Sequence, residues 1–325
     1  MLHLRVIAPA GQGEDVVAFL VDCPMVTNIV VLPGVAREPR GDLILADVAR
    51  EGANTVLHGL EEQGIPRDGS IAVETIDLSL SARADKAEED APGHEDDAVV
   101  WAEFEERVAE GSRLTWAFVT FLALATQIAA IGVLLDSTIL IVGAMVLGPE
   151  FAAIAAICYG IIRPSARLIG RALRTLAAGF AIAIIVTMVC AAFSAWWGWI
   201  TPAMLDHNEQ TDFIVSPDRW SFIVAVLAGA AGVLSVTAGK SSALVGVFIS
   251  VTTVPAAGNL AVAIVLVHFN EVGDSLLQLG VNVAGMLIAG TVTLVLQRLV
   301  WSRLSATIPV RRARPPHHPR TTPHL

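Results

Sequence analysis

Charged side chains are scarce in this sequence. They make up 16% of its 325 residues, whereas hydrophobic residues make up 54% and the mean hydropathy is +0.64. Soluble globular domains typically have about 25% charged residues, so this composition argues against an entirely soluble protein. The scarcity is uneven, because residues 1–112 carry 23 acidic and 8 basic side chains and residues 113–325 carry 8 acidic and 13 basic ones. An acidic front half therefore precedes an apolar, weakly basic back half, and neither predicts a nucleic-acid-binding surface.

Cysteines and catalytic motifs are also lacking. Cys23, Cys158 and Cys190 have neither metal-ligand nor redox spacing, and they predict no disulfide framework. The sequence has no P-loop, zinc-protease motif, nucleophile elbow or dinucleotide-binding fingerprint. A membrane-embedded enzyme is therefore the weakest functional hypothesis, and we predict no catalytic residues, no metal site and no cofactor.

Short strands and helices are predicted to alternate over residues 1–80. The strands are expected over 2–8, 26–34, 42–49 and 69–78, and the helices over 13–23 and 53–65. This βαββαβ order predicts an α+β ferredoxin-like cytoplasmic domain. Such a domain serves either in assembly or in ligand sensing, and the fold alone does not decide between the two.

Residues 81–112 predict an acidic linker followed by an amphipathic helix. Residues 79–98 are rich in Asp and Glu, contain Pro and Gly, and have few apolar side chains, which is typical of a linker. Helical spacing resumes at Trp101, Phe104 and Val108. We expect this helix to lie on the bilayer surface or on a neighbouring subunit.

Residues 113–301 predict about six transmembrane helices, because six stretches approach or exceed the roughly 20 apolar residues that a span needs. These stretches are 114–135, 138–162, 172–195, 220–239, 242–268 and 275–300. Basic residues concentrate in alternate connections and in the tail 302–325, which predicts that both termini are cytoplasmic. The fold class is therefore an α-helical polytopic membrane protein.

Spans one to three resemble spans four to six. The second and fifth spans run through a glycine, meet Pro149 or Pro255 near the middle, and continue with alanine-rich sequence. Because each copy has an odd number of helices, the second copy is upside down, and we predict a 3+3 inverted repeat. Paired spans interrupted by Gly and Pro point to a transporter-type site at the midplane, although ordinary kinks are the alternative.

Glu150 follows Pro149 near the centre of its span. An ionised carboxylate there costs about 3 kcal/mol or more, so intramembrane acids usually face a cavity and carry function. Burial favours the neutral acid, which makes Glu150 a candidate protonation switch, and a protonated or paired structural glutamate is the alternative. The predicted substrate or ion-binding residues are Gln127, Gly148, Pro149, Glu150, Thr252, Thr253, Pro255, Asn259 and Asn282.

Five segments of the chain carry a family resemblance. They are MLHLRVIAPA, VTNIVVLPG, GDLILADVARE, IVGAMVLGPEFAAIAA (141–156) and ALVGVFISVTTVPAAGN (243–259). On these segments the chain resembles the domain-of-unknown-function 389 family of bacterial and archaeal membrane proteins. The resemblance implies a soluble domain followed by a membrane domain in a prokaryotic cell membrane, and it brings no established activity. Ala256 stands where the family motif has a second proline, which implies a softer second break.

Two functional hypotheses follow from these features. The first is a transporter or permease for a small polar solute or ion, with a midplane site at broken helices two and five and regulation by the N-terminal domain. The second is a ligand-gated channel or membrane sensor whose N-terminal domain binds a cytoplasmic metabolite. Expected partners are membrane lipids, the unidentified solute or ion, and further copies of the chain, since the soluble module and small-residue helix faces favour a homo-oligomer.

Overall fold

The computed structural model of this chain describes residues 1–91, 93–94, 98–205, 219–238 and 253–305. The described residues are mostly helical and separate into two compact units. The first unit holds Met1–Val100 and the described residues from Val300 on, and the second holds Trp101–Leu299.

A small antiparallel sheet organises the first unit. The elements follow in the order β1 (Leu2–Pro9), α1 (Gly13–Val21), β2 (Val26–Arg37), β3 (Arg40–Val48), α2 (Ala53–Glu62), α3 (Ile65–Asp68), β4 (Ser70–Thr75) and α4 (Ala82–Glu89). A short 3-10 turn at Arg50–Gly52 precedes α2. The strands lie in the order β2-β3-β1-β4, and each neighbouring pair is antiparallel.

The core of the first unit follows from the alternation of buried and exposed side chains along its strands. In β1, Leu2, Leu4 and Val6 are buried and lie on one face, because successive side chains of a strand point to opposite faces. Helices α1 and α2 cover this face with an apolar stripe that includes Phe19 and Leu60. Each strand and helix predicted over residues 1–80 overlaps an observed element of the same type.

The predicted linker contains a helix that the sequence prediction missed. Helix α4 occupies residues 82–89, and the Ser81 side chain accepts a hydrogen bond from the Ala84 backbone N–H at 3.3 Å, which caps its first turn. Ala84 and Ala87 are buried. Because many residues of this segment are charged, its pattern did not indicate that the two alanines form a buried helix face.

Eight helices follow along the described chain. They are α5 (Trp101–Gly111), α6 (Trp116–Leu134), α7 (Thr138–Leu147), α8 (Phe151–Ile162), α9 (Ala166–Trp196), α10 (Arg219–Thr237), α11 (Thr253–Val265) and α12 (Phe269–Ser305). A 3-10 turn at Pro202–Met204 follows α9.

Four or five of these elements have the length and composition of membrane spans. Helices α6, α9, α10 and the Phe269–Trp301 part of α12 each qualify alone, and α7 with α8 forms a fifth candidate that is bent by 55°. Helix α11 has 13 residues and is the described helical part of the predicted fifth span, 242–268. Residues 239–252 lie outside the described residues, so the fifth of the six predicted spans is not accounted for in full.

The apolar face of the amphipathic helix α5 packs on α8 of its own chain, and the placement of α5 on a bilayer or on a neighbouring subunit stays a prediction. Its buried Phe104 contacts the Tyr159 ring of α8 with centroids 5.4 Å apart. The Tyr159 hydroxyl donates a hydrogen bond to Glu105 Oε2 at 2.7 Å. The spacing of apolar residues identified the buried face of α5, but it carried no information about the partner.

Candidate functional site

The candidate site lies where α7 ends and α8 begins. Gly148 has an extended backbone (φ −67°, ψ 119°), because a proline disfavours helical geometry in the residue before it. The helix restarts at Glu150, whose carbonyl accepts hydrogen bonds from the backbone N–H groups of Ala153 and Ile154 at 3.2 and 3.3 Å. Pro149 therefore interrupts the candidate span as predicted, with a change of direction of 55°.

Glu150 is fully buried at this junction. Thr253, which is also fully buried, donates a hydrogen bond from its Oγ1 to Glu150 Oε1 at 2.7 Å. Thr253 is the first residue of α11 and lies two residues before Pro255. The bond therefore joins the two proline-containing segments that the sequence pairs as equivalent.

A second polar contact lies further along α11. Asn259 Nδ2 donates a hydrogen bond to Ser275 Oγ of α12 at 3.0 Å, and both side chains are buried. Ser275, Gln278 and Asn282 follow one another at intervals of three and four residues, so they share one face of α12. All three are fully buried, which makes this face a polar row inside an apolar helix.

The remaining predicted site residues are distributed as follows. Gln127 is half-buried on α6, and the hydrogen bond to Glu150 comes from Thr253 rather than from Gln127 or Asn259. Asn282 is fully buried on α12. Thr252 lies outside the described residues. The structure thus brings Glu150 and Thr253 into direct contact and places Asn259 beside Ser275.

The predicted interruption at Pro255–Gly258 is itself helical. Pro255 lies within α11, which is described from Thr253 to Val265. At Gly258 an added Cβ would lie 2.8 Å from the Ala130 backbone nitrogen and 3.0 Å from the Thr126 carbonyl oxygen. This glycine is therefore required for the close approach of α11 to α6 rather than for a break.

Most of the glycines predicted to permit close helix packing do so. A Cβ added at six of them would approach a neighbouring atom to 3.0 Å or less, whereas at Gly143 nothing lies within 4 Å. The six glycines are Gly132, Gly179, Gly229, Gly232, Gly285 and Gly290.

Comparison with known proteins finds a partial match to one family. Residues 145–288 match the family model described as "Domain of unknown function (DUF389)". Over these residues the chain is similar to the DUF389 family. An uncharacterised protein of Methanocaldococcus jannaschii is 31% identical over 134 residues, which are 41% of this chain and 39% of that relative. The chain thus spans about two fifths of that relative's length in the match, and no solved structure matches.

The DUF389 match contains both described polar contacts, since Glu150, Thr253, Asn259 and Ser275 all fall within it. Sequence reasoning missed Ser275 and Gln278. The signal was present in the segment GDSLLQLGVNV (273–283), where polar residues recur every three or four positions in an otherwise apolar helix.

Proposed function

We propose that this chain is a membrane transporter or permease for a small polar solute or ion, with its site at Glu150 between the two proline-containing segments. The observation that carries this proposal is the 2.7 Å hydrogen bond from Thr253 to Glu150 at the non-helical junction of a bent candidate span. Acidic side chains inside membrane domains are rare, and they mark substrate, ion or proton pathways.

The proposed membrane placement rests on the surface of the helical unit. Large apolar side chains project from it, including Trp116 and Ile139, whose side chains are 86% and 83% exposed. In water such a surface would drive association, whereas in lipid it is matched by the acyl chains. We propose six spans in the cell membrane, with residues 242–268 as the fifth and both termini cytoplasmic.

The proposed inverted repeat is supported by the contact between its two equivalent segments. In transporters with this architecture, the substrate lies between paired interrupted helices from the two halves. Glu150 follows Pro149 in the first half, and Thr253 precedes Pro255 in the second half. Their hydrogen bond therefore supports a site for a solute or coupling ion between the two segments, although of the two only the Pro149 segment is interrupted within the described residues.

For the front unit we propose a ferredoxin-like fold that assembles the protein or regulates it. The strand order β2-β3-β1-β4 supports this, because it places β1 between the two strands that flank α2, as in a split βαβ unit. β2 is an edge strand with exposed Val30, Leu32 and Val35. An apolar edge strand is a pairing surface for a second copy, which supports a homo-oligomer.

The transport proposal is tested by uptake into proteoliposomes under an imposed pH gradient. The full chain is reconstituted, a panel of labelled small polar solutes and ions is screened, and internal pH is followed with an entrapped dye. We expect Glu150→Gln to reduce flux to the level of empty liposomes, because the amide keeps the shape of the side chain but not its charge or proton.

The matched control is Glu106→Gln, which makes the same chemical change at an exposed position of α5. We expect this variant to transport like the native chain. Native-level flux in Glu150→Gln would remove Glu150 from the mechanism, and equal losses in both variants would show that the effect is not specific to the site.

A further inference from the structure

Arginines concentrate where α6 and α9 begin. Arg113 precedes α6, Arg163 precedes α9, and Arg167, Arg171 and Arg174 lie in the first three turns of α9. The three residues of α9 are spaced by four and three positions, so they form a stripe along one face. Within the described part of the chain, none of the five forms a salt bridge with a carboxylate. The guanidinium groups of these five arginines are therefore not directly paired with a carboxylate of the described residues.

Three of these arginines line one cavity of about 640 Å³. Arg113 lines it from the connection between α5 and α6, and Arg171 and Arg174 line it from α9. Its other walls are Leu114, Thr175, Ala177 and Ala178.

Most polar groups around this cavity form hydrogen bonds within the protein, except for the guanidinium ends. The Thr175 hydroxyl donates to the Ser112 carbonyl oxygen at 2.8 Å, and Arg174 Nε donates to the Gly170 carbonyl oxygen at 3.0 Å. The cavity is therefore lined mainly by apolar surface, and its charged lining residues are the three arginines. Leu114 and, two residues further along the chain, Trp116 are exposed apolar side chains.

A phosphodiester with attached acyl chains matches this arrangement. Guanidinium groups bind phosphate oxygens through paired hydrogen bonds. Basic pockets between membrane helices on the cytoplasmic side hold anionic head groups, and the positive-inside rule assigns the arginines of this connection to that side. Trp116 follows Arg113 by three residues and is exposed, and tryptophans typically mark the edge of the hydrocarbon.

We propose that the cavity of Arg113, Arg171 and Arg174 binds the phosphate group of an anionic membrane phospholipid. The proposal shares the membrane placement described above but does not depend on transport. A smaller cavity of about 170 Å³ lies nearby and is also lined by Arg171, with Arg163 and Arg167. Glu105 forms part of its wall, so its carboxylate opposes an anion there, and the smaller cavity is not part of the proposal.

The test is lipid binding measured by native mass spectrometry of the full chain in detergent. Phosphatidylglycerol and phosphatidylcholine, which differ in net charge, are titrated separately. We expect the chain to retain phosphatidylglycerol in preference to phosphatidylcholine. The variant Arg113→Gln/Arg174→Gln should lower phosphatidylglycerol affinity about 25-fold, since each basic residue near an anionic surface contributes about fivefold.

The control variant is Arg83→Gln/Arg219→Gln, which removes two positive charges at exposed positions that do not line the cavity. It should bind phosphatidylglycerol like the native chain. Size-exclusion chromatography and circular dichroism establish that each variant is folded. If the double variant fails to fold, the single variants Arg113→Gln and Arg174→Gln replace it, each with an expected loss of about fivefold.

A parallel arm adds inorganic phosphate in place of lipid. One combination of results would overturn the lipid assignment in favour of a soluble phosphate ligand. Phosphate would stabilise the native chain, this stabilisation would be lost when the cavity arginines are replaced, and the chain would retain no lipid. Equal retention of the two lipids, or equal losses in the cavity and control variants, would overturn the proposal. Failure of transport leaves these readouts unchanged, so the two proposals fail independently.

Discussion

The two units of the chain bury different kinds of side chain. The core of the first unit is apolar, and among its described residues Glu51 is the one buried charged or polar side chain. The described part of the second unit buries thirteen polar side chains, while large apolar residues such as Ile139 project from its surface. The interior of the first unit is thus apolar, whereas the second unit combines exposed apolar side chains with a partly polar interior.

Buried polarity alone does not mark the site in the second unit. The buried Thr126 and the half-buried Thr293 donate hydrogen bonds to the carbonyl oxygens of Leu122 and Ala289, one turn earlier in their own helices. Such bonds satisfy a hydroxyl inside an apolar helix and require no function. The contacts Glu150–Thr253 and Asn259–Ser275 differ because they join buried side chains of different helices, whereas the interhelical pairs Tyr159–Glu105 and Gln297–Thr237 are only partly buried. Interhelical pairs with both side chains buried are therefore the feature that distinguishes the candidate site.

The sharpest test of this comparison is to truncate one large aliphatic side chain to alanine in each unit. Leu4 is fully buried in the sheet face of the first unit, and we expect Leu4→Ala to lower the free energy of unfolding of that unit by about 2–5 kcal/mol. Ile139→Ala removes a side chain that is exposed on α7, and we expect a change within about 0.5 kcal/mol.

Hydrogen exchange of the full chain in detergent measures both effects, with β1 amides reporting the first and α7 amides the second. Equal destabilisation by the two variants would show that the surface of α7 is packed against protein, which would contradict the contrast between the units.

Close helix packing in the second unit predicts that replacing a glycine lowers the free energy of unfolding, but by less than Leu4→Ala does. Gly258→Ala places a methyl group 2.8 Å from the Ala130 backbone nitrogen, and backbone cannot move aside cheaply. We expect thermal unfolding in detergent to show a destabilisation of about 1–3 kcal/mol. Gly143→Ala is the control, because nothing lies within 4 Å of the added Cβ and alanine favours the helix. A loss of stability in Gly143→Ala equal to that in Gly258→Ala would contradict the packing argument.

The interhelical hydrogen bond predicts an effect of similar or smaller size. Thr253→Val deletes the donor to Glu150 Oε1, and we expect a loss of about 1–3 kcal/mol because the buried carboxyl oxygen loses this bond. Thr253→Ser keeps the hydroxyl and should lose less. Thr126→Val removes a hydroxyl bonded only within its own helix, so its thermal unfolding in detergent should change less than that of Thr253→Val. The reverse order would show that the pair contributes nothing beyond ordinary burial.

Much of the fold could be predicted from local patterns. The alternation of Leu2, Leu4 and Val6 placed β1, and the helical spacing of Val56 and Leu60 placed α2. Helix α4 was missed because its contacts with the core are made by alanines within a charged segment. The partner of α5 was missed as well, because hydrophobic spacing identifies a buried face and not the surface that covers it.

The candidate site could be predicted only in part for the same reason. An acid after a proline in an apolar run identified Glu150, and the equivalent position in the second half identified Thr253. The hydrogen bond between them joins residues 103 positions apart, and spacing along one chain carries no distance between helices. Ser275 and Gln278 were missed because each alone is an ordinary polar residue near a helix end, and only their shared burial with Asn282 sets them apart.

The smallest effect that we predict concerns the apolar core of the first unit, where Cys23 is buried. Burial, with a smaller contribution from the negative charge of Asp22, raises the pKa of the Cys23 thiol to about 11 from an ordinary value of 9.0. The folded state therefore keeps a proton that the unfolded state releases. The stability from this group is complete below about pH 9 and is lost as the pH rises towards about 11. Denaturation of the full chain across this range should show a flatter decline in Cys23→Ala than in the native chain. The same slope in both would mean that the thiolate is tolerated, and the core of the first unit would then accept charge as readily as the interior of the second.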